Sequence, residues 1–281
     1  IGQLNPTGIP YRPYAPTSGS VIGGQSEGGD VRNNEVTIEN DGEVGQFVYG
    51  GLTTGDGKAE GNTVKITKGT VIGTPQQGTG GAVWGGRSVD GAVRNNTVEI
   101  SGRRLTADPP DAPPVTPPGT PYGTYIDYYV YGGHATGDGA VEGNTVTVTG
   151  GTVHSQIYGG HSNNGVVKNN TVKISGAAAE TSVREVYGGK ATGDGAAEGN
   201  KVEIDSAGVK TKDGSVVGGY TANGDAKGNT VTFTKKAAGS ELPHVYGGRV
   251  GPEHPPFPGD EKGHGNATDN TVTLQAGTID G

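Results

Sequence analysis

A unit of two apolar residues followed by Gly-Gly recurs eight times along the chain, with the first glycine at Gly23, Gly50, Gly85, Gly132, Gly159, Gly188, Gly218 and Gly247. Each is followed by an Asn-x-Val-x-apolar unit (Asn-x-Val-x-Phe or -Leu in the last two), which begins at Asn34, Asn62, Asn96, Asn144, Asn170, Asn200, Asn229 and Asn270. The offset from glycine to asparagine alternates between 11 and 12, and reaches 23 only in the last unit, where residues 251–262 are inserted. Successive Gly-Gly pairs lie 27, 35, 47, 27, 29, 30 and 29 residues apart, so the basic unit is 27–30 residues long. A repeat of that length cannot bury an apolar face alone and must stack on its neighbours.

The pattern inside the repeat is that of strands. In Asn144-Thr145-Val146-Thr147-Val148 the valines alternate with threonines, and the same alternation holds in Thr97-Val98-Glu99-Ile100 and Thr171-Val172-Lys173-Ile174. Period two places Val and Ile inward and Thr, Lys and Glu outward. A second strand is expected through Gly151–Tyr158, and a shorter third one through Val31, Val93, Val141 and Val167. The fold class is therefore all-β: a parallel β-solenoid of about eight coils over residues 20–281, with three short sides, Gly-rich corners and insertions at 103–129 and 251–262.

Composition agrees only through the period. With 56 Gly and 17 Pro among 281 residues and 30% hydrophobic residues, an aperiodic chain would read as disordered. A solenoid needs far fewer apolar side chains, because its core is a thin column shared by adjacent coils. Glycines are expected at corners that require positive φ or leave no room for a Cβ. The eight asparagines are expected to stack as a hydrogen-bonded ladder.

Charge follows a two-coil period. Glu60-Gly61-Asn62, Glu142-Gly143-Asn144 and Glu198-Gly199-Asn200 alternate with Arg32-Asn33-Asn34, Arg94-Asn95-Asn96 and Lys168-Asn169-Asn170. Stacked coils then bring opposite charges together at one corner instead of like charges about 5 Å apart. Residues 1–19 hold four prolines and do not match the repeat, so they are expected to be extended, either as an arm lying along a neighbouring subunit or as a disordered leader.

Several residues invite a chemical reading. Tyr49, Trp84, Tyr131, Tyr158, Tyr187 and Tyr246 precede the Gly-Gly pairs and form one column, interrupted by Ile22 and Val217. If the preceding valine faces inward these rings face outward, where they form either an aromatic strip that sugars stack on or a self-stacking ladder. The ladder is the better supported of the two. His134 and His161 follow Gly-Gly in adjacent coils, but no carboxylate recurs at that place, so the expectation is a solvated surface row and no metal site. The Gly-Asp-Gly turns lack the nonapeptide rhythm of calcium-loaded solenoids, and Asp there is a turn residue. The Asn-x-Thr triplets at Asn95, Asn169 and Asn266 are a weak glycosylation signal.

The combination of Val-Tyr-Gly-Gly, a Gly-Asp-Gly or Asn-Gly turn, Asn-Asn-Thr-Val-x-Ile-Ser-Gly and Gly-Thr-Val resembles repeats in the passenger regions of bacterial autotransporter-type surface adhesins. The resemblance covers residues 21–281 and implies an exported, cell-surface protein with a β-helical stalk. The translocating β-barrel of the complete family pattern has no counterpart in the sequence.

Other features bound the function. No Cys is present, so disulfides and thiolate metal sites are excluded. No apolar run approaches a membrane span. The 21 basic residues are scattered among 29 acidic ones, which argues against nucleic acid as a partner. Acidic residues follow the repeat instead of gathering where it breaks, so no catalytic carboxylate cluster is expected and no cofactor is implied. Joining Asp280-Gly281 to Ser20-Val21-Ile22-Gly23-Gly24 gives a close match to Asp213-Gly214-Ser215-Val216-Val217-Gly218-Gly219, so either copies of the chain stack end to end or the segment is one stretch of a longer array. The expectation is a non-enzymatic extracellular stalk or fibre subunit for surface adhesion, with host or environmental glycans as further candidate partners. A carbohydrate-binding or carbohydrate-cleaving β-helix is the alternative, and ice binding through threonine rows stands behind both.

Overall fold

The computed structural model describes residues 19–40, 42–71, 81–102, 124–176, 183, 185–205, 214–234, 244–252 and 264–275. The proline-rich arm, except Gly19, and most of both insertions lie outside the described residues. None of the described residues is helical; the ordered elements are strands, all paired in parallel with the equivalent strand of the next coil. The chain is a parallel β-solenoid of eight coils.

Each coil contributes one strand to each of three eight-stranded sheets. The first sheet is built from strands such as Phe47–Thr53, Ala82–Ser88 and Gln156–Ser162, which contain the Gly-Gly pairs. The second consists of two-residue strands such as Val31–Arg32, Val93–Arg94 and Val167–Lys168, along the expected short side. The third holds the alternating Val segments, for example Thr97–Ile100 and Thr145–Val148. Register is kept residue for residue, so Val98 pairs with Val64 and Val146, and Ile100 with Ile66 and Val148.

A fourth side was not expected. Gly42–Val44, Gly69–Val71, Tyr125–Ile126 and Thr152–Val153 form a four-stranded sheet in the first half of the solenoid. The stretch read as one strand through Gly151–Tyr158 is therefore two, Thr152–Val153 and Gln156–Ser162. The chain turns between them at His154-Ser155, where Val153 and Ile157 both reach the same core.

That core is one continuous column of Val and Ile running from Val36 and Ile38 through Val98, Ile100, Val146, Val148, Val172 and Ile174 to Phe233. Nearly all of its members are fully buried, each burial stabilising by about 1.5–3 kcal/mol relative to exposure. A narrower column of Ala59, Val93, Ala135, Val141, Val167 and Ala191 lines the short side. The turn between the second and third sheets has one conformation in all eight coils: Asn33, Gly61, Asn95, Gly143, Asn169, Gly199, Gly228 and Asp269 all have φ between 53° and 66°. This left-handed region admits Gly, Asn and Asp, which is why the alternating Arg-Asn-Asn and Glu-Gly-Asn versions are interchangeable there.

Candidate functional site

Two columns run the length of the solenoid on either wall of the Gly-Gly sheet. Inside it lies the asparagine column. Asn62, Asn96, Asn144, Asn170, Asn200 and Asn229 are fully buried, and Asn34 and Asn270 at the ends are half-buried. Each side-chain Nδ2 donates to the Oδ1 of the next asparagine at 2.9–3.0 Å, from Asn34 through Asn229 to Asn270. The same Oδ1 also accepts the backbone N–H of the preceding asparagine, as from Asn96 to Asn144 at 2.9 Å. The second Nδ2 proton goes to a short-strand carbonyl of the previous coil, for example Asn96 to Ala59 at 2.9 Å and Asn170 to Val141 at 3.0 Å. Amide groups that would be costly to bury alone thus satisfy one another along the axis.

The glycine pairs exist for this ladder. Sequence reasoning put them at corners, but they sit within strands and without positive φ. A Cβ on Gly160 would stand 2.6 Å from Cγ and Nδ2 of Asn170, and one on Gly159 would meet the Gly188 carbonyl oxygen, closer than any atom can approach. The constraint is close approach, to an asparagine later in the same coil for the second glycine and to the backbone of the next coil for the first.

On the other wall stand the aromatic rings. Ile22, Tyr49, Trp84, Tyr131, Tyr158, Tyr187, Val217 and Tyr246 are in register across the first sheet. From Tyr49 to Tyr187 the five rings are stacked, with centroids 4.7, 5.6, 4.8 and 5.3 Å apart and planes within 10° of parallel. They lie on the face away from the Val and Ile column, as expected, but they are not an open strip. Tyr49, Trp84, Tyr131, Tyr158 and Tyr187 are 0–8% exposed, and only Tyr246 is half-buried. Within this stack each ring covers the face of the next, which gives each pair about 0.5–1.5 kcal/mol beyond its burial. Burial holds the Tyr131 and Tyr158 hydroxyls neutral by raising their pKa far above the ordinary tyrosine value.

The residue after Gly-Gly forms a second row over these rings, and here too the structure differs from the expected solvated surface. Arg87, His134, His161 and Lys190 occupy consecutive coils in register. The Lys190 ammonium sits over the rings of Tyr158, Tyr187 and Tyr220 at 5.5, 4.8 and 5.6 Å, and the Arg87 guanidinium lies 5.7 Å from the Trp84 ring. His134 stacks on Tyr131 at 4.8 Å and accepts a hydrogen bond from Trp84 Nε1 at 3.2 Å. Both imidazoles are half-buried.

The corner charges alternate as the sequence indicates. Arg32, Glu60, Arg94, Glu142, Lys168, Glu198 and Lys227 follow one another up the second sheet, with Arg32 3.4 Å from Glu60 and Arg94 3.6 Å from Glu142. Carboxylates of the Gly-Asp-Gly turns are tied to the coil above, Asn164 Nδ2 donating to Asp138 at 3.0 Å and Asn223 Nδ2 to Asp194 at 3.0 Å. Ser88 and Ser162, which sequence reasoning passed over, fasten these turns: each hydroxyl donates to a turn carbonyl of the previous coil and accepts its own turn's Gly N–H. Among the described residues, no three His, Asp or Glu side chains gather as metal ligands would, and no helix is long and apolar enough to cross a membrane. No protein-family model, curated protein or solved structure matches the chain.

Proposed function

We propose that this chain is a non-enzymatic structural rod of the bacterial cell surface, a β-solenoid stalk or fibre segment in attachment that extends by end-to-end stacking of copies. The observation that carries this reading is the direction of the asparagine ladder. Every rung donates the same way, so among the described residues the Oδ1 of Asn34 accepts from no asparagine, while the backbone N–H of Asn270 and one of its Nδ2 protons meet no further rung. Those two ends are complementary, and stacking them repeats the junction that seven internal pairs already make.

The apolar residues support the same junction. Val21 and Ile22 at one end, and Val272 and Leu274 at the other, are 37–45% exposed although their counterparts in internal coils are buried. In the stacked arrangement Val245 meets Val21, Tyr246 meets Ile22, Val272 meets Val36 and Leu274 meets Ile38, by continuation of the register. Unpaired strand edges of this kind pair readily with another chain. The resemblance of the repeats to autotransporter-type adhesins supports the surface location.

Electron microscopy of the purified chain across a concentration series tests the reading. Unbranched fibres one solenoid wide are expected, and Asn270→Leu is expected to shorten them. Separate rods of about 40 Å, eight coils at strand spacing, at every concentration would reject stacking.

A further inference from the structure

His134 and His161 pack side by side against the aromatic wall. Their ring centroids are 4.8 Å apart, and among the described residues the charged groups acting on them, Arg87 and Lys190, are cations. Arg87 flanks His134 in the coil before, and Lys190 flanks His161 in the coil after. On their own strands they face Tyr131 and Tyr158, with His134 stacked on Tyr131 and His161 tilted 5.4 Å from Tyr158. Glu185 does not reach them: its carboxylate accepts from Gln156, at the opposite end of the strand. Among the described residues His161 Nδ1 is buried with no hydrogen-bond partner, and His134 Nδ1 is already occupied as the acceptor for Trp84.

We propose that His134 and His161 act as a proton-operated latch, which holds the aromatic wall closed while both are neutral and opens it locally when acid makes four consecutive coils cationic. Protonation of His134 on Nδ1 would turn the acceptor of the Trp84 N–H into a second donor and break that bond. Protonation of both rings would set Arg87, His134, His161 and Lys190 as like charges roughly 5 Å apart, at one strand spacing. The Val and Ile column lies across the sheet from this wall and contains no titratable group.

The electrostatics run in the same direction. Burial, then Arg87, lowers the pKa of His134 to about 3, and burial, then His134 and Lys190, holds His161 well below the ordinary imidazole value. The closed wall therefore binds fewer protons than the open one. Its stability is full above about pH 6.5, the ordinary imidazole value, and is lost progressively as pH falls below it.

Trp84 is the only tryptophan and sits at the latch, so its emission reports the wall directly. On lowering pH we expect a reversible loss and red shift of Trp84 emission with a midpoint at least one unit below about pH 6.5, while far-ultraviolet circular dichroism keeps its β signature. The variant H134Q/H161Q places in both coils the residue that Gln25 supplies at this position in the first coil, and it should lose that transition. Imidazole chemical shifts of the unaltered protein, followed by NMR, give the same midpoint without any substitution. Flat emission down to about pH 3, an imidazole midpoint near the ordinary 6.5, or simultaneous loss of the β signature would overturn the latch.

Discussion

Replacing Asn170 by Leu isolates the energetic role of the ladder. The two side chains have nearly the same shape and number of heavy atoms, so little cavity forms, and what changes is hydrogen bonding. Asn170 Nδ2 donates to Val141 O at 3.0 Å and Asn200 Oδ1 at 3.0 Å, and its Oδ1 accepts from Asn144 N at 3.0 Å and Asn144 Nδ2 at 2.9 Å. Asn144 Nδ2 keeps the carbonyls of Val93 and Glu142, and Asn200 Oδ1 keeps the backbone N–H of residue 170. Two buried groups lose their ladder partner, the N–H of Asn144 and the carbonyl of Val141. At about 1–3 kcal/mol for each stranded group, the cost is about 2–6 kcal/mol. With an unfolding entropy near 2.1 cal/mol/K per residue, that lowers Tm by about 3–10 °C for a chain of 281 residues. Asn34→Leu is the internal control: Asn34 is half-buried, and among the described residues no asparagine donates to its Oδ1, so it should cost less than half as much. Thermal unfolding by circular dichroism decides the matter. An unchanged Tm for Asn170→Leu, or equal losses for the two variants, would refute the reasoning.

Three further outcomes follow from the same packing. Gly160→Ala should lower stability by about 1–3 kcal/mol in denaturant titration, because its Cβ would meet an amide anchored from both sides. At Gly143, with φ of 66°, Asn should be tolerated as it is at Asn95 and Asn169, whereas Val should cost at least about 1 kcal/mol, a difference thermal melts will show. Glu142→Lys sets a cation beside Arg94 and Lys168; the sites are exposed, so the loss should stay within about 1 kcal/mol and shrink in high salt.

The solenoid itself was legible in the sequence because its cause is periodic. Val146 and Val148 declare their face by alternation, and Glu142 between Arg94 and Lys168 declares a neighbour one coil away. Relations between faces were harder to read. Gly159-Gly160 looks like a corner until the Asn170 side chain is seen filling the space a Cβ would need. Tyr131 and Tyr158 have the spacing of outward residues, and alternation does place them across the sheet from the core, but it carries no information on whether that face is covered. For the same reason His134 and His161 read as solvated. Their environment comes from Trp84, one coil away in space but across an insertion in the chain, and from Lys190. The fourth sheet escaped notice because only four coils supply it, in strands of two or three residues.

The one-coil-thick core also sets how such a rod would respond to tension. Backbone hydrogen bonds between coils, and the asparagine ladder with them, run along the rod axis, so an axial pull loads one junction after another in series. Coils would then peel from an end singly. Each released repeat of 27–30 residues yields about 90–100 Å of extended chain in place of a rise of one strand spacing. A short stiff rod thereby becomes a long compliant tether under force, dissipating energy in steps whose size the repeat length fixes.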